Sequence, residues 1–298
     1  MIITIASGKG GTGKTTIATN LAWTITHAQE AEKKGTTWLI DCDVEEPNAA
    51  LFVYPTFEKE KNVERLLPII NQDQCTGSGV CVDVCEYNAL ARAGGKTLFF
   101  KELCHACGSC VLNCPEGAIR ETPEMIGVLQ QGSSDSLRFA QGILEIGFSS
   151  PTPVIRDLKK WVIPQQPQLD STYILDASPG TACPVVESFR GADFALLVTE
   201  PTPFGLHDLV LVAELISKEF KIPAGIVINK SGHGDEIIEQ FASEKKIPIL
   251  MRVPLSRDIA EAYARGKLLV DAFPQYKDQF VALHKKIGEM IRERQPKQ

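Results

Sequence analysis

The stretch Gly8-Lys9-Gly10-Gly11-Thr12-Gly13-Lys14-Thr15 follows a short apolar run at residues 2–6 and precedes a helical pattern at residues 16–28. It matches the phosphate-binding consensus G-x-x-x-x-G-K-[ST] in the strand-to-helix context that this consensus requires. Glycines let backbone N–H groups surround phosphate oxygens, while the Lys14 ammonium and the start of the next helix add positive charge. We predict that this loop, with Thr16 behind it, binds nucleotide phosphates and that the Thr15 hydroxyl is a ligand of Mg²⁺.

Apolar runs that end at polar or turn residues recur along the chain. We predict buried strands at residues 2–6, 37–40, 172–175, 194–199, 225–228 and 249–253. Amphipathic helical patterns, such as those at residues 16–28 and 207–220, lie between these runs. Because strands alternate with helices, we expect an α/β fold with a doubly wound, mostly parallel sheet.

The composition is that of a folded globular protein. The chain has 298 residues, of which 44% are hydrophobic and 23% are charged. Its formal net charge of -6 gives no basic footprint for nucleic acid, so no nucleic-acid partner is expected. There is no apolar run of about 18 residues, and the first residues lack the pattern of a signal peptide. These features predict a cytoplasmic protein.

Cysteines are concentrated in one part of the sequence. Seven of the nine lie between Cys75 and Cys114. Because the cytosol keeps thiols reduced, this clustering indicates metal binding or catalysis rather than disulfides. The interval also interrupts the alternation of strands and helices, with short hairpin-like pieces near residues 68–71 and 97–100. We predict a domain formed by residues 1–60 and 124–298, with an insertion at residues 61–123.

The second cysteine run is Cys104-x-x-Cys107-x-x-Cys110-x-x-x-Cys114-Pro115. This spacing is typical of bacterial ferredoxins, in which the fourth cysteine ligates the other of two clusters. Crossed ligation therefore predicts one 4Fe-4S cluster on Cys85, Cys104, Cys107 and Cys110. Zinc is the competing metal, but structural zinc usually needs two separated C-x-x-C pairs.

The first run departs from the ferredoxin pattern. It contains Cys75, Cys81 and Cys85, but Ser78 stands where a two-cluster ferredoxin has a cysteine, and Glu86 stands where proline is common. The second site would then have Cys75, Cys81 and Cys114, with only the Ser78 oxygen available for a fourth iron. It could hold a 4Fe-4S cluster, a 3Fe-4S cluster or nothing stable. We expect such a site to be labile.

The phosphate-binding loop has an additional lysine, Lys9. A loop of this form resembles the deviant Walker A motif of the MinD/ParA/Mrp and nitrogenase iron protein superfamily of P-loop ATPases. The resemblance implies an ATP-dependent dimer, formed with an identical chain or a related ATPase, in which Lys9 reaches the partner's phosphates. Residues 127–151 resemble the strand pair that follows an inserted ferredoxin domain in such proteins.

Further segments resemble the switch regions of this superfamily. In Leu39-Ile40-Asp41-Cys42-Asp43, the resemblance assigns Asp43 to the attacking water and Asp41 to the network around Mg²⁺ and lysine. In Tyr173-Ile174-Leu175-Asp176-Ala177-Ser178-Pro179-Gly180, it assigns Asp176 to Mg²⁺ and the Gly180 amide to the γ-phosphate. Asn229 follows a later strand and resembles the residue that contacts adenine.

The other two cysteines have separate interpretations. Cys42 is predicted to be a packed thiol. Cys183 lies where the nitrogenase iron protein has a cysteine that ligates a cluster across its dimer, but one cysteine per chain supplies only two ligands. We therefore expect Cys183 to be a buried thiol.

Three functions are compatible with these features. The first is ATP hydrolysis coupled to electron transfer, with a redox protein as partner. The second is an iron-sulfur scaffold or carrier, with an apo iron-sulfur protein as partner, and the third is a redox-sensing regulatory or positioning ATPase. The C-terminal apolar stripe, which includes Tyr276, Phe280 and Ile287, is expected to pack on the core rather than on a membrane.

Overall fold

The computed structural model describes residues 1–32, 35–166 and 170–294. In chain order the strands are β1 (Ile2–Ala6), β2 (Thr37–Asp41), β3 (Thr56–Ile70), β4 (Leu90–Ala93), β5 (Lys96–Phe99), β6 (Ile119–Ser134), β7 (Leu137–Leu144), β8 (Thr172–Asp176), β9 (Phe194–Thr199), β10 (Ala224–Ser231) and β11 (Ile249–Pro254). The large sheet has the order β11-β10-β9-β1-β8-β2-β7-β6-β3, and β4 pairs with β5 in a separate hairpin.

The described residues form eleven α-helices, most of which lie on the two faces of the large sheet. They are α1 (Lys14–Glu32), α2 (Ala50–Val53), α3 (Val80–Asp83), α4 (Ser109–Leu112), α5 (Thr152–Val162), α6 (Cys183–Phe189), α7 (Pro203–Leu215), α8 (Asp235–Lys245), α9 (Arg257–Ala264), α10 (Leu269–Ala272) and α11 (Gln275–Arg294). A π-helical turn, Ile216–Phe220, continues α7. Helix α7 begins before the predicted position because Pro203 starts it and the Thr202 hydroxyl accepts a hydrogen bond from the Gly205 N–H.

Alternate residues of each central strand supply the two cores. In β1, Ile3 and Ile5 are buried with α1 and α11, whereas Ala6 is buried with α6 and α7. Each fully buried Ile contributes about 1.5–3 kcal/mol relative to an exposed one. Strands β11, β10, β9, β1, β8, β2 and β7 are all parallel to one another. The predicted α/β fold with a mostly parallel sheet is confirmed.

The remaining two strands form a long antiparallel extension of the sheet. Strand β3 has 15 residues and pairs with β6 along nearly its whole length. The expectation of a short hairpin-like piece near residues 68–71 was wrong, because these residues end a strand that starts at Thr56. The predicted domain boundaries at residues 61 and 123 fall inside β3 and β6.

A small unit lies beyond the ends of these two strands. Residues 71–118, called the cysteine module below, contain α3, α4 and the β4–β5 hairpin. Its buried apolar cluster has four members, Cys81, Leu90, Cys110 and Ile119, the last of which belongs to β6. The module therefore has a much smaller core than the large sheet.

The C-terminal helix packs against the rest of the chain. Tyr276, Phe280, Leu283 and Ile287 are buried in the core beside α1, as predicted. Among the helices of the described residues, none has the length and apolar character needed to cross a membrane.

Candidate functional site

The phosphate-binding loop connects β1 to α1. Lys14 is the first residue of α1 and its side chain is buried. Gly13 has φ of +94°, and a Cβ atom there would lie 2.2 Å from Asn229 Nδ2. Glycine is therefore needed at this position both for the backbone conformation and for the close approach of the β10 end.

Two acidic strand ends lie at the same edge of the sheet as the loop. Asp41 ends β2 and Asp176 ends β8, and both strands run parallel to β1. Thr15 donates a side-chain hydrogen bond to Asp176, but the buried Asp176 Oδ1 has no hydrogen-bond partner among the described residues. Carboxylate and hydroxyl oxygens are ligands that Mg²⁺ prefers. Thr15 and the free Asp176 oxygen therefore fit the predicted Mg²⁺ site.

The Asp41 carboxylate organises the segment that follows β2. It accepts hydrogen bonds from the backbone N–H groups of Asp43, at 3.0 Å, and of Asn48 and Ala49, both at 2.9 Å. Burial and the nearby Asp176 raise the pKa of Asp41. Asp41 thus holds the loop at residues 42–49. Its predicted part in the network around Mg²⁺ and lysine stays a prediction.

Asp43 lies within the electrostatic reach of Lys14. Burial raises the pKa of Asp43, whereas Lys14 and a side-chain hydrogen bond with Ser178 act in the opposite direction. Asp43 is half-buried, so solvent water can reach it. Its role toward that water stays a prediction.

Gly180 and Asn229 both make hydrogen bonds to the segment around the loop. The Gly180 N–H donates to the Ser7 carbonyl at 2.9 Å, with φ of +96° at Gly180. Asn229 Nδ2 donates to the Thr12 carbonyl at 2.8 Å. Their predicted contacts with the γ-phosphate and with adenine remain predictions.

Lys9 is engaged inside its own chain. Its Nζ donates a hydrogen bond to Glu200, which directly follows β9. Lys230 Nζ donates to the other Glu200 oxygen at 2.9 Å and to the Gly11 carbonyl at 3.1 Å. Glu200 was not among the site residues predicted from the sequence. Its position after a strand parallel to β1 was the available signal, since the carboxyl ends of parallel strands share one edge.

Four cysteines from both runs line one cavity in the cysteine module. They are Cys85, Cys104, Cys107 and Cys110. Burial raises the pKa of Cys110 to about 11, whereas hydrogen bonding with Ser109 lowers the pKa of the exposed Cys107. Thus Cys85, which is 19 or more positions away in sequence, joins the three closely spaced thiols of the second run.

The other three cysteines of the module do not line this cavity. Cys75 Sγ and Cys81 Sγ lie 3.6 and 3.9 Å from the same Thr97 hydroxyl oxygen. Cys114 Sγ lies 3.7 Å from Glu116 Oε2, and the Thr76 hydroxyl donates to the other oxygen of Glu116. Glu116 therefore connects Cys114 to the segment next to Cys75. Ser78 is exposed, and its carbonyl accepts a hydrogen bond from Arg92 at 3.4 Å.

The two cysteine runs have the same local structure. Gly79 and Gly108, with φ of +88° and +75°, precede the single turns α3 and α4. After each turn, a backbone N–H donates to a cysteine sulfur at 3.3 Å, from Ala89 to Cys85 and from Ala118 to Cys114. N–H donors of this kind stabilise thiolates. The repeat agrees with the equal spacing of the two runs.

The remaining cysteines differ from each other. Cys42 is buried, as predicted, and burial raises its pKa to about 12. The prediction of a buried Cys183 was wrong, because this thiol is exposed at the start of α6. In the part of the chain that the structure describes, no group of three or more His, Cys, Asp or Glu side chains is arranged to hold a metal ion.

A phosphate-binding loop between a central parallel strand and a helix, with acidic strand ends beside it, defines a P-loop nucleotide-binding protein. The chain belongs to the CobQ/CobB/MinD/ParA nucleotide-binding domain family, whose model matches residues 3–270. Two relatives from Methanocaldococcus jannaschii are similar to it. "Uncharacterized protein MJ0579" is 30% identical over 285 residues, covering 93% of each chain, and "Uncharacterized protein MJ0578" is 29% identical over 293 residues, covering 98% of each.

Solved structures with the same fold include two archaeal proteins. The septum site-determining protein MinD of Pyrococcus horikoshii, complexed with Mg-ADP, has a TM-score of 0.55 at 18% identity, covering 96% of this chain and 95% of that one. The cell division ATPase MinD of Pyrococcus furiosus has a TM-score of 0.54 at 19% identity, covering 97% and 98%. At these identities the similarity establishes the fold.

Proposed function

We propose that the chain is an ATPase whose nucleotide-controlled dimer couples ATP hydrolysis to electron transfer through a 4Fe-4S cluster. The observation that supports this most is the convergence of Cys85 with Cys104, Cys107 and Cys110 around one cavity, in a chain that also has a complete phosphate-binding loop. The proposal requires each of these two sites to influence the other.

The nucleotide half of the proposal uses residues at the carboxyl edge of the sheet. Thr15 and Asp176 would hold Mg²⁺, which supplies positive charge to the phosphates when bound. Lys14 stabilises negative charge on the transferred phosphoryl group, and Asp43 orients the water that attacks the γ-phosphorus in line. The bond from that phosphorus to the β,γ-bridging oxygen breaks as the bond to water forms.

The cysteine half of the proposal rests on the chemistry of the four thiols. Four cysteines are the usual ligands of a 4Fe-4S cluster, which supplies one-electron transfer when bound. Each thiolate of a cubane binds a different iron, so the four sulfurs converge less closely than the ligands of a single ion. The tight spacing of Cys104, Cys107 and Cys110 is typical of cluster ligands and lacks the two separated C-x-x-C pairs that structural zinc usually needs.

A continuous set of contacts connects the two halves. The carbonyl of Val44, next to Asp43, accepts a hydrogen bond from the Leu144 N–H at 2.8 Å. In the connecting loop that follows, residues 145–150, the Phe148 ring lies 5.3 Å from Lys101 Nζ, and the Ser149 hydroxyl donates to the Glu102 carbonyl. Phe148 and Ser149 also line a cavity with Cys104. Movement of the Asp43 segment can thus reach the cluster site.

Electron paramagnetic resonance of the anaerobic protein tests the proposal. We would record spectra during stepwise reduction, with iron and sulfide counts, without nucleotide and then with Mg-ATP. We expect about four iron atoms per chain or more, and a change in the cluster signal or midpoint potential on adding Mg-ATP. An iron-loaded protein whose signal and potential stay the same would contradict coupling and favour a scaffold or sensor.

The site of Cys75, Cys81 and Cys114 favours a second candidate function, that of a cluster scaffold or carrier. Ser78 offers an exposed hydroxyl where a fourth thiol is expected, and a site with three thiols holds its cluster weakly. Incubation with an apo ferredoxin distinguishes the two functions. A cluster scaffold or carrier loses iron to the apo ferredoxin, whereas an electron-transfer protein keeps its iron.

A further inference from the structure

Glu200 connects three points of the nucleotide site through two lysines. One carboxylate oxygen accepts the hydrogen bond from Lys9, and the other accepts the one from Lys230. Lys230 in turn donates to the Gly11 carbonyl of the phosphate-binding loop. The Glu200 side chain is 13% exposed, compared with 33% for Lys9. The Glu200 carboxylate is thus the more buried partner in the Lys9–Glu200 ion pair.

Glu200 is ionised at neutral pH. Partial burial raises the pKa of Glu200, the hydrogen bonds from Lys9 and Lys230 lower it, and the net shift is downward. The ammonium of Lys9 is therefore neutralised by a carboxylate of its own chain. While this contact persists, Lys9 is unable to bind a phosphate on another chain.

We propose that Glu200 is a positioning residue that holds Lys9 within its own chain until ATP-dependent pairing of two chains releases it. This inference rests on the proposed function, since it requires Lys9 to reach the partner's phosphates. One ammonium group cannot occupy both positions, so each chain must break its Lys9–Glu200 contact when the dimer forms. The contact opposes dimer formation in both chains.

Lys230 lowers the free-energy cost of releasing Lys9 from Glu200. Breaking an ion pair usually leaves a partly buried charge without a partner, which is costly. Here Glu200 keeps its 2.9 Å contact with Lys230 after Lys9 leaves. The carboxylate therefore remains paired in both states, and the cost of release is that of one partly exposed ion pair.

The test is the substitution Glu200→Gln in the iron-loaded, full-length protein. Glutamine keeps the shape but removes the charge that holds Lys9. Sedimentation velocity with Mg²⁺ and a non-hydrolysable ATP analogue gives the dimer dissociation constant. Releasing one partly exposed ion pair favours dimerisation by about two- to threefold per chain, so we expect a dimer about four- to tenfold tighter.

The matched control is Glu214→Gln. Glu214 also forms an ion pair with a lysine, Lys218, at 2.8 Å, but on the exposed surface of α7. This variant loses the same charge and should form dimers with the same dissociation constant as the unmodified protein. If circular dichroism shows that Glu200→Gln does not fold, Glu200→Asp replaces it, with a shorter carboxylate and a smaller tightening of about twofold.

Repeating the Glu200→Gln substitution in a Lys9→Ala variant distinguishes release of Lys9 from simple charge repulsion between the chains. In Lys9→Ala there is no lysine to release, so adding Glu200→Gln should leave the dissociation constant unchanged. Equal tightening in both backgrounds would overturn the inference, as would an unchanged or weaker dimer for Glu200→Gln alone. So would a Glu200→Gln dimer that forms without nucleotide.

If the proposed function is wrong, the same dimerisation measurements give a different result. In that case the unmodified protein stays monomeric with the ATP analogue, or Lys9→Ala pairs as tightly as the unmodified chain. Either outcome removes the role of Lys9 across the dimer and overturns the inference with it. Dimer formation that depends on Lys9 but is not tightened by Glu200→Gln overturns the inference alone.

Discussion

The parallel sheet and the cysteine module are stabilised in different ways. The sheet has apolar cores on both faces, and its central strands are almost entirely buried. The module has a buried cluster of four residues, two of which are the cysteines Cys81 and Cys110. The parallel sheet thus has extensive apolar contacts of its own, whereas the module has few. If the module binds the proposed cluster, its stability should depend on that cluster.

The largest effect that tests this division is expected for Lys14→Ala. Removing the buried ammonium should weaken ATP binding at least about 100-fold, because the phosphates lose their main positive partner. Iron content should not change, since the cysteine module does not contact Lys14. Calorimetry with ATP and an iron assay measure both, with the exposed Lys218→Ala as the control. A parallel loss of iron would show that the two regions are not separable.

Iron removal is the converse experiment. If the module binds the proposed cluster, an anaerobic chelator should increase tryptic cleavage after Lys96, the first residue of β5, at least about tenfold, because a bound metal supplies folding free energy. Peptides from the parallel sheet should appear at the same rate as before. Mass spectrometry of a digestion time course provides the measurement. Equal cleavage with and without iron would mean that the small core suffices.

Ser78→Cys sharpens the comparison within the module. A thiolate at this position completes the ligand set of Cys75, Cys81 and Cys114, so iron should rise by up to about four atoms per chain. Ser78→Ala, which also removes the hydroxyl, should give no increase. Iron and sulfide counts after anaerobic reconstitution distinguish them. If Ser78→Cys gains no iron, these three cysteines do not form a site.

The smallest effect is expected at the contact between the two regions. Phe148→Ala removes the ring beneath Lys101 and should reduce the shift in cluster potential caused by an ATP analogue by about half. ATPase rate and iron content should remain as they were. Ile146→Ala in the same loop is the control, since Ile146 is almost fully exposed. An unchanged shift in Phe148→Ala would place the coupling elsewhere.

Much of the sheet was predictable because its strands are apolar on both faces. The six predicted strands are all present, and their carboxyl ends bring Asp41 and Asp176 to the edge that holds Lys14. Strand β3 was not predictable in the same way, since most of its first residues are exposed and charged. Local sequence patterns detect burial, and β3 is held by pairing with a distant strand.

Prediction of the site residues from the sequence has a similar limit. Glycine and lysine positions identified the phosphate-binding loop, because that motif has a fixed local geometry. The partner of Lys9 is distant in sequence: the position of Glu200 after β9 places it at the correct edge of the sheet but does not identify it as the partner of Lys9. Contacts between distant segments depend on the assembled sheet.

The exposed charges of β3 have a consequence for how copies of the chain behave in a crowded solution. Strand β3 is an edge of the large sheet, with free backbone groups available for pairing with another molecule. Its sequence Glu58-Lys59-Glu60-Lys61 alternates in sign, and Pro68 lacks an N–H. Charged side chains and a proline on an edge strand disfavour pairing with a second sheet, because the charges prefer water and the proline has no N–H to donate. Among the strands that the structure describes, β3 is the longest edge, and its composition disfavours uncontrolled sheet growth and aggregation there.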